Sequence, residues 1–124
     1  MIQIFTGVDL IEIERLAGVN PSIRDRFLKR VYTSRELDEC EGVNSSLAGR
    51  FAAKEAVAKA LGCGIGPIAW REIEILRAES GGPVLHLHGK AKDMAANLGV
   101  ESWSVSISHS RTHAVAMVVG ACSS

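Results

Sequence analysis

Hydrophobic and polar positions recur along most of the chain, and the period of the recurrence predicts its elements. Residues 2–8 alternate as a short strand, with Gly7 placed where the backbone must bend or approach something closely. Leu10, Ile11, Ile13 and Leu16 then recur at roughly helical spacing, so Asp9 is expected to cap a first helix. Asn20-Pro21 breaks that helix, and Ile23, Phe27, Leu28 and Val31 resume the helical period. Thr33-Ser34-Arg35-Glu36 has the form of a hydroxyl-capped start to a short helix ending by Gly42.

Residues 50–62, RFAAKEAVAKALG, form the strongest helical stretch, with Asn44 or Ser45 available as its cap and Gly62 closing it. Apolar or small residues spread round most of its circumference, the pattern of a buried helix. One stripe differs. At about 100° per residue, Phe51, Glu55 and Lys59 align, so a carboxylate and an ammonium project together. The plainest reading is an i,i+4 bridge on a solvated face. On a helix that sits largely inside, such groups otherwise require a partner, a metal or a cleft.

Beyond it, Gly62, Gly64, Gly66 and Pro67 make a turn too sparse in glycine for a nucleotide-binding fingerprint. Residues 70–78 alternate as a half-buried strand, Ile73 and Ile75 on one face and Glu72 and Glu74 on the other. Ser80-Gly81-Gly82-Pro83 turns the chain into a second strand at 84–88. Residues 89–98 read as a helix closed by Gly99, and 102–108 and 113–119 as a last strand pair. The order predicts an α+β fold in one domain, 1–124: a largely antiparallel sheet packed against the long buried helix, with shorter helices on one side.

Composition narrows the chemistry. The 124 residues are 47% hydrophobic and 23% charged, ordinary for a globular protein. Lys+Arg and Asp+Glu are 14 each, so no global field draws in nucleic acid or an anionic membrane, and any anion site is local. Cys40, Cys63 and Cys122 are far apart, with no CxxC pair, which speaks against a zinc site or a disulfide framework and for a reducing compartment. His86 and His88 share a strand face but lack a third ligand at a telling spacing. The first residues carry no basic leader and no run is long enough to span a bilayer, so a cytoplasmic location is expected.

The acids Asp9 and Glu55, at an element junction and on the buried helix, offer hard oxygens suited to Mg²⁺. Lys59 and His109 could then grip phosphate oxygens, an arrangement that phosphoryl transfer uses. Arg15, Arg24, Arg26, Lys29 and Arg30 make a local basic surface: a solvated helix face, or a docking patch for an acidic partner.

Three stretches taken together are more specific: Gly7-Val8-Asp9-Leu10 through Ile13-Glu14-Arg15-Leu16, Arg50-Phe51-Ala52-Ala53-Lys54-Glu55-Ala56-Val57-Ala58-Lys59-Ala60, and Ser106-Ile107-Ser108-His109-Ser110. In identity, order and spacing they resemble the holo-[acyl-carrier-protein] synthase family of 4′-phosphopantetheinyl transferases, over essentially the whole chain. The resemblance implies transfer of the 4′-phosphopantetheine arm from coenzyme A to a serine of an apo acyl carrier protein, releasing adenosine 3′,5′-bisphosphate. It assigns Asp9 and Glu55 to Mg²⁺, Lys59 to the coenzyme's phosphates and His109 to the adenine and 3′-phosphate. Arg50 and the Gly82-Pro83 turn match positions near the nucleotide. It also implies a homotrimer with sites at subunit interfaces and an acidic carrier docking on the first helices, at Arg15 with Arg24 and Arg26 nearby. Two other classes share parts of this pattern: a noncatalytic coenzyme A or nucleotide-binding module, and a metal-dependent phosphoesterase. The intact Asp9, Glu55 and Lys59 set disfavours the first, and the lack of a further carboxylate or histidine cluster the second.

Overall fold

A helix with no wide solvent face needs neighbours on every side, and the rest of the chain supplies them. The computed structural model describes residues 1–123. In chain order it contains β1 (Ile2–Glu12), α1 (Glu14–Ala17), α2 (Pro21–Val31), α3 (Ser34–Cys40), α4 (Asn44–Leu61), a 3₁₀ turn (Trp70–Glu72), β2 (Ile73–Arg77), β3 (Pro83–Leu87), α5 (Gly89–Leu98), β4 (Ser102–His109) and β5 (His113–Ser123). The strands form two antiparallel sheets, one ordered β1-β5-β4 and the other β2-β3. α4 lies across the inner face of the larger sheet, with α1, α3, α5 and β2 covering its other sides. Its alanines 52, 53, 56 and 58, with Leu47 and Val57, are fully buried, whereas Phe51, Glu55 and Lys59 keep some exposure. The α+β architecture expected from the pattern is present. Among the described residues no helix is long and apolar enough to cross a membrane.

β1 departs from expectation. It runs on through Asp9 to Glu12, so Asp9 caps no helix and instead stands mid-strand opposite Ala116. Val8 and Leu10 point outward and Asp9 and Ile11 inward, an alternation that the apolar residues on both faces disguise as a helical spacing. β5 offers a full antiparallel partner as far as His113, and pairing every backbone group there outweighs a local capping preference. What remains of the first helix is the four-residue α1.

Gly7 brings β1 and α4 together. A Cβ on it would lie 1.8 Å from the Ala56 carbonyl oxygen, so only hydrogen permits this approach. Other local signals hold: Asn20 accepts from Ser22 N ahead of Pro21, Thr33 and Glu36 complete a capping box, and Gly62 ends α4 in the left-handed region at φ 78°. Neither Asn44 nor Ser45 caps α4. The N-cap position falls one residue earlier, on Val43, which has no side-chain cap to offer, and the Asn44 side chain is taken by Arg24. β2 is shorter than 70–78 and buried on both faces, because α3 covers the side that Glu74 occupies. Glu74 is satisfied there by the Thr33 hydroxyl at 2.6 Å and His88 Nε2 at 3.0 Å.

The opposite face of the larger sheet is uncovered. Ile2, Ile4, Val8, Leu10 and Met117 are each at least half exposed on it. Register aligns them: Val8 faces Met117 and Leu10 faces Val115 across β1 and β5.

Candidate active site

The Gly7–Ala56 approach positions the carboxylates. Asp9 is two residues beyond Gly7 on the same inward face, and Glu55 immediately precedes Ala56 on α4. The two acids therefore meet where strand and helix touch. Burial pushes the Glu55 carboxyl up, the Asp9 charge adds to this, and Lys59 opposes both. Among the described residues Glu55 has no hydrogen bond or ion pair. The bridge from Glu55 to Lys59 is not made: Lys59 Nζ instead donates to Asp9 Oδ1 at 3.0 Å and to the Val8 carbonyl at 2.9 Å.

A second group of residues lies elsewhere on α4. Arg50, the serines 45 and 46, Arg77, Pro83 and His109 line a cleft of about 220 Å³ between the start of α4, the end of β2 and the end of β4. Arg50 is nearly buried, its Nη1 donating to Glu39 Oε1 at 2.8 Å and to the Ile75 carbonyl at 2.7 Å. His109 is exposed, with Nδ1 donating to the Ser110 carbonyl at 3.3 Å. From the expected turn, Gly81 and Pro83 line the cleft, with Gly82 between them in the chain. Five residues of helix separate Arg50 from Glu55, about 7.5 Å along the axis and about 140° round it. Arg50, Pro83 and His109 thus form one group, and Asp9, Glu55 and Lys59 another on a different face of the same helix.

The donor set at Asp9 and Glu55 fits a hard divalent cation. Two like charges lie close together, Asp9 paired with Lys59 and Glu55 with no partner, and among the described residues no third histidine, cysteine or acid joins them as a zinc site would require. Mg²⁺ takes one or two protein carboxylates and leaves its other positions to water and phosphate, which suits this pair.

Comparison with known proteins now decides the family. Residues 6–118 match the model of the 4′-phosphopantetheinyl transferase superfamily. The chain belongs to that superfamily. A holo-[acyl-carrier-protein] synthase of Herpetosiphon aurantiacus is 48% identical over 125 aligned positions, covering 95% of this chain and 98% of its own. One from Natranaerobius thermophilus is 47% identical, covering 91% and 93%. Among solved structures, the Helicobacter pylori holo-[acyl-carrier-protein] synthase in complex with coenzyme A superposes with a TM-score of 0.84 at 34% identity, over 93% of this chain and 98% of that one. The ADP-bound Plasmodium yoelii acyl carrier protein synthase reaches 0.88 at 27% identity, over 100% and 99%.

Within this transferase fold, the basic first helices are not uniform. Arg15 and Arg26 are exposed. Arg15 borders an apolar groove of about 250 Å³ lined by Val19, Ile23, Phe27 and Phe51, and Arg26 and Arg30 flank its continuation along α2. Arg24 differs from the exposed cation the sequence suggested. It is half-buried, its Nε donating to the Leu16 carbonyl at 3.2 Å and its Nη2 to Asn44 Oδ1 at 2.7 Å, so it ties α2 to α1 and to the start of α4.

Sequence reasoning missed Lys54, Glu36, Glu39 and Arg77. Lys54 and Glu36 are wholly buried and paired at 2.8 Å. Lys54 Nζ also donates to the Trp70 carbonyl at 3.1 Å and to that of Ile73. The signal was available for Lys54, a charge in a stretch apolar all round. For Arg77, one cation at a strand end, nothing marked it out.

Proposed function

We propose that the chain is a holo-[acyl-carrier-protein] synthase, moving 4′-phosphopantetheine from coenzyme A to a serine hydroxyl of an apo acyl carrier protein and releasing adenosine 3′,5′-bisphosphate. The observation that carries this reading is the Asp9–Glu55 carboxylate pair at the Gly7–Ala56 contact, with Lys59 beside it. Asp9 and Glu55 would hold Mg²⁺, which when bound supplies charge neutralisation at the diphosphate during P–O cleavage. Lys59 is poised to contact a phosphate oxygen, since more than half of its side chain is open beside Asp9. Arg50 and His109, with Pro83 closing one wall, are assigned to the nucleotide end of coenzyme A.

The two groups face different sides of α4, and a homotrimer reconciles them. Covering the open sheet face with neighbouring copies would bury Ile2, Ile4, Val8, Leu10 and Met117 and bring one chain's nucleotide residues toward another's carboxylates. The cysteines are all free, in keeping with a cytoplasmic setting.

Mass spectrometry tests the transfer directly. An apo carrier protein incubated with coenzyme A, Mg²⁺ and this chain is expected to gain the phosphopantetheine mass. An unmodified carrier alongside tight coenzyme A binding would establish a binding module instead, and release of phosphopantetheine into solution would establish a phosphoesterase.

Carrier docking is assigned to the groove along α2 and its rim of Arg15 and Arg26, which matches an acidic, partly apolar partner. Reversing both charges, Arg15→Glu with Arg26→Glu, should raise KM for the carrier about tenfold and leave KM for coenzyme A within about twofold. Equal rises in both constants would refute the assignment.

A further inference from the structure

Arg50 owes its direction to one carboxylate. Glu39, on α3, accepts from Arg50 Nη1 at 2.8 Å and from the backbone N–H of Arg77 at 2.8 Å, both on Oε1. A single oxygen thus ties together the guanidinium at one wall of the cleft and the end of β2 at the other. The Ile75 carbonyl takes a second hydrogen bond from the same Nη1. Among the described residues Nε and Nη2 of Arg50 donate to no protein acceptor, yet neither is sealed in the core. Arg50 lines the cleft, so these two donors are available to a ligand bound there. Glu39 stays ionised readily: its carboxyl lies below the ordinary range, the Arg77 N–H and the Arg50 guanidinium outweighing partial burial.

We propose that Glu39 is a positioning residue for coenzyme A, itself fixed by the Arg77 N–H and holding Arg50 by Nη1 so that Nε and Nη2 meet the ligand's phosphate oxygens. This rests on the transferase reading of the cleft. A guanidinium left to rotate would spend binding free energy on being ordered; held at one nitrogen, it presents two parallel donors at little further entropic cost. Distance matters here more than charge. The carboxylate is itself an anion close to an anionic ligand, so its benefit comes from where its oxygen sits.

Two conservative variants separate reach from charge. Glu39→Asp keeps the charge and shortens the side chain by one methylene, taking the oxygen out of reach of Arg50 and Arg77 N. Glu39→Gln keeps an acceptor oxygen at full reach and loses the charge. By titration calorimetry with coenzyme A, Glu39→Asp is expected to bind about tenfold more weakly than wild type and Glu39→Gln within about threefold of it. In transfer assays Glu39→Asp should raise KM for coenzyme A and leave KM for the carrier unchanged. In an Arg50→Ala background Glu39→Asp should add no further loss, because it acts through that arginine.

The proposal is overturned if Glu39→Asp binds as wild type, if Glu39→Gln loses as much as Glu39→Asp, or if the losses at Glu39 and Arg50 add. It is overturned too if both KM values rise together with a fall in Tm, the mark of a merely structural role. A wild-type chain that binds no coenzyme A would remove the transferase reading along with this one. A wild-type chain that binds and transfers while Glu39→Asp is unaffected would remove this one alone.

Discussion

Glu55→Gln is expected to lose transfer activity by about 10²–10³-fold, the scale of removing one preorganised electrostatic group from an active site, while folding normally. The amide fits the space and the helix, but the negative charge beside Asp9 is gone. Stability should move the other way. Burial and the Asp9 charge raise the Glu55 pKa in the folded chain above its unfolded value. For such a group, stability present below the unfolded pKa is lost as pH rises through the folded pKa. Ionised Glu55 therefore costs the metal-free protein stability at neutral pH, and Gln removes that cost. Thermal melts in chelator should show Glu55→Gln at least as stable as wild type at pH 8, with the advantage shrinking toward pH 4. Full activity of Glu55→Gln would sink the carboxylate-pair reading, and a Tm below wild type at pH 8 would sink the electrostatic account of the site.

Lys54→Met should destabilise the fold by about 3–5 kcal/mol, because it strands a buried carboxylate. Lys54 and Glu36 are both fully shielded from solvent. Burial pulls the Lys54 pKa down, and Glu36, helped less strongly by Glu74, pulls it back up, so the ammonium depends chiefly on Glu36. Through it α4 is tied to α3, and through the carbonyls of Trp70 and Ile73 to the approach of β2. Adding Glu36→Gln to Lys54→Met should recover only part of the loss. Glu36 uses two oxygens, one for Thr33 N and one for Ile75 N, and an amide has only one acceptor oxygen to offer them. Urea denaturation gives both values. A Lys54→Met midpoint equal to wild type would show that the pair adds nothing to the fold beyond what a methionine supplies.

The local elements were legible because their causes are local. Alanine-rich residues 50–62, the glycines that end helices, the capping box at Thr33 and the 80–83 turn act through neighbouring backbone, and each appears in the structure where expected. The one serious misreading, a helix beginning at Asp9, came from a strand with apolar residues on both faces. Only the presence of β5 resolves that ambiguity. Residues proposed for the metal and for the nucleotide were identifiable from three motifs in register, and the superfamily match bears out the family they suggested.

Side-chain partners were a different matter. Lys59 finds Asp9, 50 residues away, in preference to Glu55 one turn before it, and Lys54 finds Glu36 at a separation of 18. Arg24 turns inward to Leu16 and Asn44, and Glu39 reaches Arg50 and Arg77. Periodicity reports which face a residue occupies and carries no record of what comes to lie against that face. The sequence by itself determined a buried central helix, its flanking strands and turns, and a family. Which charges pair, which stay free for a ligand, and that Asp9 and Glu55 meet at all were decided by tertiary packing, because a contact as close as that between Gly7 and Ala56 exists only once strand and helix have docked.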